Sequence, residues 1–207
     1  RGPNCPSRAP QGRPCPAGGA AKFTRAAYDD RWALEEFGAQ VDVATYEFEN
    51  LPVEPLRVIE DRLRPGVKSL SVAQDRAVEK QFIENCGATV APWLSVDSLT
   101  DVERAVAELG TPIVLKTRRY GYDGKGQAWV REAGEAEAAW DSIGREPAVA
   151  ETGIAFAAEF SVIVARWADG RTVFWDSPDN VHRDGILRTS TVPSSVTFVV
   201  QAEAART

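Results

Sequence analysis

The stretch KTRRYGYDGKGQ, residues 116–127, sets Lys116, Arg118, Arg119 and Lys125 among Gly121, Gly124 and Gly126. Glycines let backbone N–H groups approach an oxygen-rich anion closely, and a lysine at the end of an apolar strand is a positioned point charge. Four like charges in so short a span repel one another, which favours an anion that visits them. The chemistry suggested is phosphate binding. A plainer alternative is a solvated surface hairpin turning at Asp123-Gly124. Three features favour the cradle over the hairpin: the loop is long, Lys116 sits on the strand rather than in the turn, and Tyr120 and Tyr122 flank the glycines. Two familiar phosphate loops do not fit. Gly121 to Lys125 has the wrong spacing for a Walker loop, and Gly126 stands where Ser or Thr is needed. Gly124 and Gly126 lack the third glycine of the dinucleotide fingerprint. A lysine on a strand under a glycine-rich flap is chemically similar to the kinase arrangement, but the kinase signatures are missing. VHRD at 181–184 contains His-Arg-Asp without the Asn that should follow.

Two further stretches carry candidate groups. AVAETGIAFAAEFSV places Glu151 at the end of one short strand and Glu159 at the head of the next. DNVHRDGILRTS gathers His182, Arg183, Asp184 and Arg188 in a polar segment read as irregular. No nucleophile elbow supports Ser-His-Asp chemistry.

These groups need elements to hold them. WALEEFG at 32–38 reads as a helix, Val41 to Phe48 as a strand, and EPLRVIEDRL as a second helix. A helix is expected from about Val72 to Gly87, with Val78, Phe82, Ile83 and Cys86 as its apolar face. TVAPWLSV is expected to be extended, with Pro92 confining it to an edge or bend. SLTDVERAVAELG has the clearest helical pattern, capped by Ser98 or Asp97 and ended by Gly110. TPIVLK and QAWVR read as strands on either side of the basic loop, GEAEAAWDSIG as a helix and PAVAE as a strand. EFSVIVARWADGRTVFWDS reads as a hairpin turning at Asp-Gly. The order implies an α+β layout with antiparallel strands.

Composition sets the frame. The chain has 207 residues, 43% of them hydrophobic, and a formal charge of −6. An acidic balance argues against non-specific nucleic-acid binding, and no apolar run is long enough for a membrane span. A soluble cytoplasmic protein is expected, with neither nucleic acid nor membrane as a partner. Cys5, Cys15 and Cys86 are too few and scattered for a disulfide framework or zinc site. His182 is the single histidine, so a divalent ion would need carboxylates. The chain has no methionine and begins with Arg1, which reads as an internal piece of a longer protein.

Several stretches together resemble one family. AQDRAVEKQF, VLKTRRYGYDGKGQ, EFSVIVAR and NVHRDGILRTS are similar to the 5-(carboxyamino)imidazole ribonucleotide synthases, ATP-grasp enzymes of purine (IMP) biosynthesis. AYDD stands for the family's DYDD, and VATYEFENLP for VTYEFENVP. The resemblance covers about residues 27–207. It implies an incomplete α+β ATP-grasp fold at 72–207, preceded by a remnant of a small α/β pre-ATP-grasp domain at 23–71 and a disordered or irregular lead-in at 1–22. It also implies an ATP-dependent carbon–nitrogen ligase. ATP and bicarbonate would give carboxyphosphate, which carboxylates aminoimidazole ribonucleotide with release of ADP and phosphate.

Carried over by position, Arg76 and Lys116 would contact ATP phosphates, with Lys116 and Lys125 catalytic. Gly121, Tyr122, Asp123, Gly124, Lys125, Gly126 and Gln127 would form the flap. Glu151, Thr152, Gly153 and Ile154 would form a hinge that binds adenine through its backbone. Glu159 would bind the ribose hydroxyls, and His182 would lie at the nucleotide. Glu47, Tyr122, Asp123 and Lys125 are weaker candidates for the imidazole ribonucleotide. The family's glycine-rich opening and its C-terminal magnesium-binding glutamates have no counterpart here. The expectation is therefore a fragment inactive alone, with no metal ligands of its own for the magnesium of the ATP reaction. The family is commonly dimeric, so a homodimer is one assembly open to the full-length protein. The alternatives are another ATP-grasp carboxylase or ligase, or a non-catalytic nucleotide-binding fragment.

Overall fold

Alternation of side-chain direction along each strand shapes the sheet that matters most. In Ile113–Thr117 and Ala148–Thr152 successive residues point to opposite faces, so one register fixes which groups meet. The computed structural model describes residues 6–9, 22–121, 124–183 and 185–206. They divide into two compact units, Arg1–Asp75 and Arg76–Thr207. The division falls at Arg76 rather than at residue 72.

In the first unit, β1 (Pro6–Ala9) pairs in parallel with β2 (Lys22–Arg25). This strand lies inside the stretch expected to be irregular and corrects that reading for those four residues. Helix α1 (Arg31–Gly38) starts on Asp30, whose carboxylate accepts from the Ala33 N–H at 3.0 Å. The strand expected at 41–48 does not form. Only Ala44 bridges, to Leu63, with Val43 and Phe48 exposed. β-Branched residues make a strand only where a neighbouring strand receives them. The second expected helix is likewise short. Helix α2 (Val53–Leu56) tightens into a 3-10 turn at Arg57–Ile59. Leu34, Leu56, Ile59, Leu63, Val67 and Leu70 form this unit's core, the last two on α3 (Val67–Ala73).

The helix expected from Val72 to Gly87 is two helices. Helix α4 (Arg76–Asn85) begins afresh in the second unit. The Arg76 N–H donates to the Arg118 carbonyl at 3.0 Å instead of continuing the preceding ladder. β3 (Trp93–Val96) follows Pro92, and helix α5 (Leu99–Leu109) runs from its Ser98 cap to Gly110, which takes a positive φ of 75°. β4 (Ile113–Thr117) and β5 (Gln127–Val130) flank the basic loop, helix α6 (Ala136–Ser142) follows, and β6 (Ala148–Thr152) completes a sheet of order β3-β6-β4-β5. All its pairings are antiparallel. β3 is an edge, as Pro92 implied. One face, with Val96, Ile113, Leu115, Val130, Ala148 and Ala150, packs on α5 and α6 residues such as Val102, Ala105 and Trp140.

The expected hairpin is shorter than its apolar run. β7 (Val164–Arg166) pairs with β8 (Thr172–Phe174), and Phe160 makes only a single bridge, to Asp179. The segment around His182, read as irregular, is instead a second hairpin of β9 (Asp179–Arg183) and β10 (Ile186–Thr191), with Gly185 at φ 73° in its turn. Helix α7 (Phe198–Ala204) closes the described chain. Among the described residues, no helix is long and apolar enough to cross a membrane.

Ser98 serves helix α5 twice: its Oγ accepts from the Asp101 N–H at 3.2 Å and lies 2.7 Å from Asp101 Oδ2. Ser98→Ala is expected to lower stability by about 1 kcal/mol. Urea unfolding of the chain checks this, and an unchanged midpoint would contradict the capping role.

Candidate functional site

The second face of the sheet carries the chemistry. Lys116 lies across from Gln127 and Val149, and Val114 across from Trp129 and Glu151. Lys116 and Val114 are two residues apart, so Lys116 and Glu151 project from the same face as diagonal neighbours. Lys116 Nζ donates to Glu151 Oε2 at 2.9 Å. Helix α4 packs over the same strand β6 and brings Lys80 Nζ to 3.4 Å from Glu151 Oε1. Glu151 is only 7% exposed. A carboxylate so buried remains charged only with partners, and here each oxygen has an ammonium.

Helical spacing adds two more groups. Arg76, Glu79 and Lys80 stand at i, i+3 and i+4, on one side of α4. Burial pushes the Glu79 carboxyl above its ordinary value. Arg76 and Lys80 pull it down, and the charge of Glu151 pushes it up again. Neither Glu79 nor Lys80 was singled out in the sequence. The signal lay in RAVEK itself, once Arg76 is known to open a helix.

Arg76 is fixed at the root of the loop. Its Nε donates to the Thr117 carbonyl at 3.1 Å, and its backbone N–H to Arg118. The loop returns to β5 through Thr117, whose N–H donates to the Gly126 carbonyl at 2.7 Å and whose hydroxyl donates to the Arg119 carbonyl at 3.1 Å. Gly126 has φ 69°, and a Cβ there would lie 2.4 Å from Thr117 Oγ1. Glycine is required at that point on both counts. A Cβ on Gly121 would lie 3.3 Å from Arg76 Nη2. Lys125 is exposed on the loop, and Gly124 takes φ 77°. Tyr122 and Asp123 lie outside the described residues.

The β9–β10 hairpin meets the loop. A Cβ on Gly185 would sit 2.8 Å from Gln127 Nε2 and 3.0 Å from Gly124 Cα. His182 on the same hairpin has Nδ1 2.9 Å from Glu159 Oε1. A proton on Nδ1 can be donated to the carboxylate, and Nε2 lies outside that pair. Glu159 is tied to the hairpin a second time through its carbonyl, which accepts from the Asn180 N–H at 2.9 Å. Beyond Glu151, the N–H groups of Thr152 and Gly153 donate to the Pro92 and Pro112 carbonyls at 2.9 Å each, and Ile154 is exposed. Glu47 lies exposed in the first unit, in the irregular stretch after Ala44. Among the described residues, no group of three or more His, Cys, Asp or Glu is arranged to hold a metal ion.

A family model for the ATP-grasp domain matches residues 81–207, and one for the ribonucleotide synthetase preATP-grasp domain matches residues 8–74. The N5-carboxyaminoimidazole ribonucleotide synthase of Brucella melitensis is 44% identical over 93% of this chain and 54% of its own length. That of Staphylococcus aureus is 33% identical over 89% of this chain and 50% of its own. The solved Staphylococcus aureus synthetase, complexed with ADP, superposes with a TM-score of 0.89 at 32% identity, covering 96% of this chain and 54% of that one. The Thermus thermophilus synthetase gives a TM-score of 0.82 at 36% identity, over 92% and 52%. The chain spans about half the length of the relatives it matches.

The raised pKa of Glu79 has a consequence for stability. A carboxyl with a raised pKa contributes most in its protonated form, below the ordinary glutamate value of 4.5, and that contribution is lost as pH rises through the folded value. Glu79→Gln mimics the protonated group. It should raise the thermal midpoint at pH 7, with the gain vanishing below about pH 4.5. Melting curves across pH 4–8 check this, and a variant less stable at pH 7 would show that the pairing with Arg76 and Lys80 outweighs burial.

Proposed function

The chain belongs to the ATP-grasp family, among the N5-carboxyaminoimidazole ribonucleotide synthases, and from that premise we propose that it provides the nucleotide-holding part of an ATP-dependent carboxylation of aminoimidazole ribonucleotide. In this reading bicarbonate takes the γ-phosphoryl group of ATP to give carboxyphosphate. The exocyclic amine of the ribonucleotide then takes up the carboxyl group, and ADP and phosphate leave.

One observation carries the reading: Arg76 and Lys116 are both fixed at the root of a single glycine-bearing loop. Phosphoryl transfer involves little covalent work by the protein and much positioning and charge stabilisation. Arg76 and Lys116 would meet phosphate oxygens at the open face of the sheet. Gly121 to Gln127 would lie over the phosphates, and Lys125 would add a charge from the loop as it settles. Positive φ at Gly124 and Gly126 supports a backbone free of side chains where the phosphates approach. Adenine would be read by the backbone at Glu151 to Ile154. The N–H groups of Thr152 and Gly153 are already engaged within the unit, and Ile154 beyond them is exposed. Glu159 would accept from ribose hydroxyls while its pairing with His182 fixes both side chains. Glu47, Tyr122, Asp123 and Lys125 are proposed for the imidazole ribonucleotide. Magnesium normally accompanies ATP, but the described residues offer no cluster to hold it.

Calorimetric titration with ATP, with and without magnesium, tests the reading. Saturable binding is expected. Lys116→Ala should weaken it by about 1.5–3 kcal/mol, the range for a hydrogen bond to a charged group. A folded chain that takes up no ATP, or a variant that binds as tightly as wild type, would overturn the assignment.

A further inference from the structure

Lys80 has no part in the nucleotide assignments above, yet its side chain is only 14% exposed against 29% for Lys116. Both ammonium groups serve one buried carboxylate, through different oxygens: Lys116 on Oε2 and Lys80 on Oε1 of Glu151. If Lys116 were the sole counterion, its departure toward a ligand would strand a buried negative charge, at a cost of several kcal/mol by analogy with broken buried pairs. Such a lysine would be held rather than available.

We propose that Lys80 is a positioning residue: it stays on Glu151 as a standing counterion, so that Lys116 can leave the carboxylate for an incoming polyphosphate without stranding it. The two lysines are suited to different parts. Lys80 rides on helix α4, whose first residue is anchored to the Thr117 and Arg118 carbonyls. Lys116 stands near the end of β4, where the strand gives way to the glycine loop. Arg76, Lys80 and Lys116 set against Glu79 and Glu151 leave one formal positive charge before any ligand arrives. An anion therefore meets a cluster that already favours it. The identity of the anion rests on the nucleotide reading of Lys116; the shared carboxylate does not.

Two measurements on the chain test the proposal. The first is nucleotide-free. Lys80→Met and Lys116→Met each leave Glu151 one ammonium, so each should lower the thermal midpoint by only a few degrees. Combined, they should lower it by well over the sum, and Glu151→Gln added to the pair should recover most of the loss. If the double variant does not fold, recovery in the triple variant is the readout. Additive losses, or a triple variant no better than the double, overturn the proposal. The second is ATP titration. Lys80→Met should weaken binding by about tenfold or more, whereas Lys80→Arg should remain close to wild type. Equal affinity of Lys80→Met and wild type also overturns the proposal. A wild-type chain that takes up no ATP removes the nucleotide reading instead, and the nucleotide-free cycle still decides whether Lys80 is the standing counterion.

Discussion

A buried carboxylate governs the second unit. Glu151 sits in the middle of an antiparallel sheet, 7% exposed, and an ionised group there is sustained only by partners. Meeting that requirement constrains much of what surrounds it. The β4–β6 register must be the one observed, because a slip of one residue would send Lys116 to the core face and leave the carboxylate facing apolar residues. Helix α4 must lie against β6 on that face, with Lys80 directed at the carboxylate. The break before Arg76 lets that helix start where its first N–H can meet the Arg118 carbonyl. Charge placement thus selects register, register selects face, and face selects which helix residue is useful.

The glycine loop obeys a second constraint that starts from Thr117. This threonine is the last residue of β4, buried, and bonded through both its N–H and its hydroxyl to the loop it launches. Gly126 returns against it at a distance no side chain would tolerate. The loop is therefore closed tightly at its base, while Tyr120 and Lys125 stand exposed farther out. A loop tied down at its root holds the residues that leave β4 in place. Gly185 extends the contact to the His182 hairpin, so the two segments with the most distinctive sequences also touch in space.

Much of this was legible in the sequence, and the failures have physical causes. Helix α5 was readable because cap, stripe and stop agree over eleven residues. The strands around the basic loop were readable because Ile113 to Leu115 form a short apolar run ending in a charge. The expected strand at 41–48 failed because propensity says nothing about whether a partner strand exists. The expected continuous helix through Val72 failed because the Arg118 carbonyl, more than forty positions away, takes the Arg76 N–H. The hairpin around His182 was missed although Asp184-Gly185 carries the same turn signal that located the Asp-Gly hairpin near residue 169. Its exposed strands hid the pattern, since almost every described residue from Val181 to Thr191 is exposed. The site divides in the same way. Lys116 and the glycines are legible from charge and spacing, and Arg76 only from the family resemblance, whereas the pairing of Lys80 with Glu151 depends on a helix packing against a sheet.

Two of the cations at the root of the glycine loop are fixed in different ways. Arg76 is spent on backbone carbonyls, which fix its position without neutralising it, and Lys116 is paired with a carboxylate that a second lysine also serves. An arginine bonded to neutral oxygens keeps its full charge for a further partner, and its planar group retains donors beyond the Nε already used. A lysine held by a shared carboxylate is placed without being consumed. Net charge describes how the whole chain meets solvent. The behaviour of this site is set at shorter range, by which positive groups are anchored and which can be released.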